Sequence, residues 1–241
     1  MKQAHDNWAY FYDFVYENTF GSFYHELTME TLIMIQDILP NGSTIDFGAG
    51  TGRLSFPLLE KGYSVVAVEK SKAMTEVMKI KSIQFNLDLK IYNSGISDYH
   101  HQKADLAMAI FTVLSYSITD KELASNIQNI CNHIHPNGFF LFDLPSMALL
   151  AEERLTNIQS ENFNRIVELI NVKDSDIYIY KETCNGIFNN EKFEYKDEFS
   201  IRYWSMDILD NLLQKNGLFD TLKDFSYFDS TGSTYKLYQK R

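Results

Sequence analysis

A chain of 241 residues, 45% hydrophobic and 22% charged, has enough apolar material for one substantial domain and no bias toward disorder or low complexity. A net charge of −10 argues against a broad phosphate-binding surface and sets nucleic acid aside as a partner. No basic-then-apolar leader opens the sequence, and no apolar run reaches the length of a membrane span, so a cytoplasmic protein without a membrane partner is expected. Cys131 and Cys184 have no metal-ligand spacing and read as plain thiols, with no metal site.

The 18 Phe and 15 Tyr crowd the start of the chain, in WAYFYDFVYENTFGSFYH. That segment reads either as an amphipathic helix with its aromatic stripe in the core or as a lid over a ligand. Residues 24–38 carry helical spacing and stop at Leu39-Pro40-Asn41-Gly42. A buried strand is expected at 43–47, a helix at 54–60, a strand at 63–69, and a helix at 72–81 capped by Ser71. Strands follow at 89–93 and at 104–111, the latter nearly all apolar, as a strand covered on both faces should be. Thr119 and Glu122 form a capping box for a helix reaching about residue 134. His135-Pro136-Asn137-Gly138 marks its end, with His133 and His135 on the last carbonyls, before a strand at 139–144.

This alternation over 43–144 predicts an α/β fold with a Rossmann-like, doubly wound sheet of about seven strands, mostly parallel. Three β-rich stretches between 163 and 204, with turns at 173–175 and 186–190, predict a small antiparallel insertion. Ser205 caps a helix over 206–215, and strands near 219–228 and 234–240 finish the sheet as a hairpin. The expected organisation is a single domain, 1–241. Within it, 1–40 is the N-terminal helical segment read as a possible lid, 43–144 the α/β core, 163–204 the β-rich insertion, and 205–241 the closing segment.

In such sheets the first strand-to-helix loop borders the ligand crevice, and its glycines let the backbone approach the ligand. Here it reads G-A-G-T-G, out of register for the dinucleotide pattern G-x-G-x-x-G, and no G-K-[ST] of a phosphate loop follows. Asp46, two residues before the first glycine, would repel a pyrophosphate. Asp46-Phe47-Gly48-Ala49-Gly50-Thr51-Gly52 instead resembles the D/E-x-G-x-G-x-G signature of class I S-adenosylmethionine-dependent methyltransferases of the small-molecule type.

The resemblance implies S-adenosyl-L-methionine as cofactor, with S-adenosyl-L-homocysteine as product, and a loop of Asp46, Gly48, Ala49, Gly50, Gly52 and Arg53 around its methionine and ribose. Glu69 falls where the family places an acid on the ribose hydroxyls, and Lys70 and Met74 where residues flank adenine. HPNGFFLFDL resembles the strand-five motif, and the final hairpin implies a reversed last strand. The family's acid after strand three is replaced by Asn93-Ser94-Gly95-Ile96-Ser97-Asp98, which leaves the backbone of Gly95 and Ile96, or Asp98, to hold adenine. Phe111, Val113 and Tyr116 resemble the segment lining the methionine part and the acceptor, while N-P-P-[YF], the mark of base and glutamine methylation, is absent. Tyr12 and Tyr16 match tyrosines of a family helix that closes over the cofactor.

The implied reaction is in-line transfer of a methyl group to an oxygen or nitrogen of a small-molecule acceptor, by a monomer or homodimer. Arg165, Tyr178, Tyr180, Phe193, Tyr195, Arg202 and Tyr203 either shape the acceptor pocket or only pack the insertion. No nucleophile-base-acid triad is visible, and the catalytic residues are unknown; His5 and His25 read as surface or packing residues. The competing readings are a tRNA or protein methyltransferase, a nucleoside-binding module without catalysis and, more distantly, a nicotinamide oxidoreductase.

Overall fold

The computed structural model describes residues 3–146, 150 and 154–241. Five strands run parallel: β1 (Ser43–Phe47), β2 (Ser64–Glu69), β3 (Lys90–Asn93), β4 (Ala104–Ala109) and β5 (Ile134–Pro145). A second sheet holds β6 (Arg154–Ser160), β7 (Phe163–Asn171), β8 (Ile177–Phe188) and β9 (Glu191–Arg202), all antiparallel. The main sheet closes with β10 (Leu218–Asp220) and β11 (Ser233–Lys240), β11 lying antiparallel to β5. Its order is β10-β11-β5-β4-β1-β2-β3, the expected seven strands with a reversed last one. The order reverses between β1 and β4, and the crevice at their carboxyl ends is where such sheets bind ligands.

Both faces of the sheet are covered, which is why its strands read as apolar runs. Along β4, Ala107 and Ala109 join one core with Leu123, Ile127 and Ile130 of α5 (Asp120–Asn132) and Leu209 and Leu213 of α6 (Met206–Lys215). Leu106 and Met108 join the other, with Leu32 and Ile35 of α2 (Ser22–Ile38), Leu58 of α3 (Ser55–Glu60) and Met78 of α4 (Lys72–Phe85). Each such fully buried leucine, isoleucine or methionine contributes about 1.5–3 kcal/mol. A third cluster joins Val15 and Tyr16 of α1 (Tyr12–Phe20), with Trp8, to Phe163, Cys184, Phe193 and Tyr195 of the second sheet.

Several expectations need correcting. The insertion has four strands and begins at Arg154, not 163. Gly186 lies inside β8 and pairs with Phe163 and Phe193; the turn is only Asn189-Asn190, whose φ values of 52° and 65° suit a tight hairpin. Pro136, Asn137 and Gly138 fall within β5, not before it, and His135 bonds Asp105 through Nδ1 at 3.1 Å instead of capping α5. His133 does cap α5, its Nδ1 lying 2.8 Å from the Asn129 carbonyl. The stretch 219–228 is not one strand: β10 stops at Asp220, and Ser226–Thr231 is a 3-10 turn. The Thr119 and Ser71 caps form, bonding the amides of Glu122 and Met74, whereas Ser205 makes no side-chain cap bond.

Candidate active site

At the carboxyl ends of β1, β2 and β4 lies a cavity of about 310 Å³, within the range of small-molecule sites. One wall is the glycine loop. Gly48 has φ 72°, and a Cβ there would lie 2.6 Å from Val113, so only glycine fits against that side chain. Gly50 has φ 57°, and its missing Cβ faces open space; any side chain would enter the room left for a ligand. Gly52 packs on Phe56 and Met78 and lies outside the cavity lining.

Glu69 ends β2 beside this loop. Its Oε2 accepts from the Gly50 amide at 2.9 Å and its Oε1 from the Ser71 amide at 2.7 Å. Burial pushes its carboxyl up, and these amides hold it down. Two amides fix the orientation while each oxygen keeps a lone pair for a ligand's hydroxyls. Lys70 and Met74 line the same wall, and Gly95, Ile96 and Asp98 line the next together, so the alternatives left open for adenine occupy one place. A Cβ on Gly95 would lie 3.0 Å from Asp98 Oδ2.

Phe111 and Thr112 turn the chain at the end of β4 with φ of 77° and 58°, a conformation non-glycine residues rarely adopt. Asp143 of β5 holds them there, its Oδ1 accepting from the Phe111 amide at 2.6 Å and the Thr112 amide at 2.9 Å. This bend sends Phe111, Val113 and Tyr116 to the cavity. Asp46 lines an adjoining pocket with Ala49, Arg53, Tyr24, Tyr12 and Phe111. Its Oδ2 accepts from Ser55 Oγ at 2.6 Å, and burial pushes its carboxyl up to about 6. The Arg53 guanidinium lies over the Tyr24 and Phe111 rings, at 5.4 and 5.2 Å, and donates to Thr28 Oγ1.

Residues far away in sequence close the site. Gln3, Ala4, His5 and Tyr12 line it from the N-terminal segment, Phe199 and Ser200 from β9. Asp6 accepts from Ser71 Oγ at 2.6 Å, next to Glu69, and Asp13 accepts from Thr51 Oγ1 at 2.7 Å and pairs with Lys81 at 2.5 Å. Tyr16 lies in neither pocket lining; its ring stacks against Trp8 and packs under the Arg165 guanidinium. None of the seven insertion residues singled out lines the main cavity. Arg165 is instead buried in an ion pair with Glu182, Nε to Oε1 at 2.8 Å, and Tyr195 donates to the same oxygen at 2.5 Å.

Sequence reasoning missed Phe199 and Ser200, as well as Ser117, Glu122 and Asn126 on the α5 side, and it set His5 aside as packing. The alternation in β9 gave one signal: Phe199 lies four residues after Tyr195 and so on its face of the strand. Among the described residues lining the cavity, Glu69, Asp98 and Glu122 carry acid and Lys70 is the basic side chain. That balance disfavours a phosphate and suits a cationic or hydroxyl-rich ligand. No cluster that could hold a metal occurs among the described residues.

Residues 45–138 match the family described as "Methyltransferase domain". Over 215 residues the chain is 24% identical to "Putative methyltransferase YqeM" of Bacillus subtilis (strain 168), covering 86% of each. Among solved structures it resembles Streptomyces venezuelae DesVI at a TM-score of 0.78 and 14% identity, over 100% of both chains. It also resembles SAM-bound CalS10, an amino pentose methyltransferase from Micromonospora echinaspora, at 0.76 and 13%, over 95% and 96% of the chains. At these identities the structural likeness speaks for the fold, and the sequence match for the glycine-loop core. The fold is therefore that of the class I S-adenosylmethionine-dependent methyltransferases, and the sequence match to a methyltransferase domain runs over residues 45–138.

Proposed function

We propose that the cavity binds S-adenosylmethionine and that the protein, acting in the cytoplasm, transfers its methyl group to a nitrogen or oxygen of a small-molecule acceptor. The observation that carries this reading is Glu69, held by the amides of Gly50 and Ser71 at the lip of a loop whose Gly50 faces open space. A carboxylate so oriented takes two ribose hydroxyls, and the missing Cβ leaves room for the nucleoside against the backbone. Met74, Gly95, Ile96 and Asp98, which line the same cavity, would hold the adenine. Arg53, beside the adjoining pocket, would meet the carboxylate of the amino-acid part.

The bound sulfonium supplies a methyl group with a neutral thioether as leaving group, so the chain's task is to align the reactants and exclude water. Tyr12, Phe111, Tyr116 and Phe199 line the cavity, and an aromatic face turned to a cation favours it by about 0.5–2 kcal/mol. A small acceptor is supported by the likeness to an amino pentose methyltransferase and by the enclosure of the cavity by the N-terminal segment and β9.

Titration calorimetry with S-adenosylmethionine, S-adenosylhomocysteine and NADH tests the reading. Micromolar or tighter binding of the first two, with none of NADH, is expected. A folded, nucleoside-free protein that takes up neither would overturn it. A screen of amino sugars, phenols and amines with methyl-labelled cofactor then assigns the acceptor.

A further inference from the structure

Three costs meet at one residue that cofactor binding does not use. His5 has φ 67°, in the left-handed region that suits glycine or asparagine. Its buried ring Nδ1 has no hydrogen-bond partner among the described residues. Burial also lowers the imidazole to about 4, against the opposing pull of Glu182, Asp197 and Asp6 and with Arg165 adding to the drop, so the ring is neutral at neutral pH. Strain and unmet polar groups concentrated at a cavity wall point to function rather than to stability.

The surroundings force the ring into place. The His5 amide donates to Asp197 Oδ2 at 2.7 Å, and the ring meets Trp8, Tyr12, Tyr116 and Phe199 edge-on, with centroids 5.0, 5.6, 5.9 and 4.8 Å away. Among the described residues the ring's one hydrogen-bond contact is Nε2 to the Tyr116 hydroxyl, at 2.8 Å. Tyr116 is 37% exposed, and with Tyr12 and Phe199 it lines the cavity. Burial raises its phenol well above the usual value, so it keeps its proton.

A nucleophile attacking a methyl group must keep its lone pair aimed at that carbon. A wall group that donates a hydrogen bond competes for the lone pair; one that accepts the nucleophile's own N–H or O–H leaves it free and orients it. We propose that His5 Nε2 accepts the Tyr116 hydroxyl proton in a hydrogen bond, turning the phenol oxygen into the acceptor that positions an N–H or O–H nucleophile. His5 and Tyr116 are thus positioning residues, and they narrow the acceptor to amines and hydroxyl compounds. An acceptor without such a hydrogen leaves the phenol oxygen unpaired, the situation by which binding sites discriminate most strongly. The inference rests on the methyltransferase reading.

The test needs no knowledge of the acceptor. Sinefungin carries a primary amine where S-adenosylmethionine carries its methyl-bearing sulfur, and S-adenosylhomocysteine carries no such donor. Calorimetry on the full chain gives the ratio of the two dissociation constants. Sinefungin is expected to bind about tenfold tighter or better, the effect of one hydrogen bond to a charged group. Tyr116→Phe and His5→Phe should each reduce this advantage about tenfold, with S-adenosylhomocysteine affinity changed less than threefold. His5→Asn, which tolerates the left-handed backbone and offers a carbonyl to the hydroxyl, should keep part of it. An unchanged ratio in both Phe variants, or equal losses for both ligands, would overturn the proposal. Failure of the unaltered protein to bind either nucleoside would instead bring down the methyltransferase reading and this inference with it.

Discussion

The two sides of the cavity are built in different ways. The cofactor side, from Asp46 to Val113, consists of short loops at consecutive strand ends, and its key contacts are local: Gly50 to Glu69 spans 19 residues and Ser71 to Glu69 only two. The other side joins segments far apart. His5 meets Tyr116 across 111 residues and Asp197 across 192, and Arg165 reaches Thr19 across 146. A site half can be read from a sequence when one strand, one turn and one helix build it. The half proposed to select the acceptor is made only when the N-terminal segment and the second sheet pack against each other.

The sharpest way to break this comparison is on the cofactor side. Gly50→Arg places a long side chain in the open space at φ 57° and should abolish nucleoside binding by calorimetry, more than 100-fold, while circular dichroism stays unchanged. Retained binding would mean that the loop does not face the ligand. On the far side, Arg165→Met leaves Glu182 buried without its partner, a loss of about 3–5 kcal/mol. Thermal unfolding should then fall by on the order of 10 °C; an unchanged midpoint would show that Arg165 does not stabilise the second sheet and its junction with α1.

A smaller effect of opposite sign sharpens the contrast. The carboxyl of Asp46 rises in the folded state from 3.8 to about 6, because burial disfavours its charge. The folded chain therefore binds this proton more tightly than the unfolded chain, so this group's contribution to stability is fully present below pH 4 and is lost as pH rises to about 6. Asp46→Asn, which keeps a partner for Ser55 Oγ, should be more stable than the unaltered protein by about 3 kcal/mol above pH 6, and equal to it below pH 4. Urea unfolding of both proteins at pH 4 and pH 7.5 checks this; a gap that does not grow with pH contradicts the assignment.

Strands β1 to β4 were legible to within two residues, since strands covered on both faces must be apolar runs and their helices amphipathic. Errors fell where a strand departs from that pattern. The start of β5 carries Pro136, Asn137 and Gly138, turn residues that the bulged pairing with β4 nevertheless holds in the sheet. Strand β6 lacks the aromatic alternation of its neighbours, and β10 has only three residues. Among the site residues, Gly48, Gly50, Glu69, Met74, Gly95, Ile96, Phe111, Val113, Tyr116, Lys70 and Tyr12 line the cavity as a group, and Asp46, Ala49 and Arg53 line its neighbour. Tyr16 and Gly52 lie behind the wall and support it by packing.

The sequence by itself determined the order of strands and helices, the glycine loop and the acid that faces it, because backbone conformation and burial act over a few neighbouring residues. Only the tertiary structure decided that His5 stands against Tyr116, that Phe199 and not the seven insertion residues singled out reaches the cavity, and that Arg165 serves an ion pair instead of a ligand. Those outcomes depend on which side chains lose water together when distant segments meet, and spacing along the chain does not encode that.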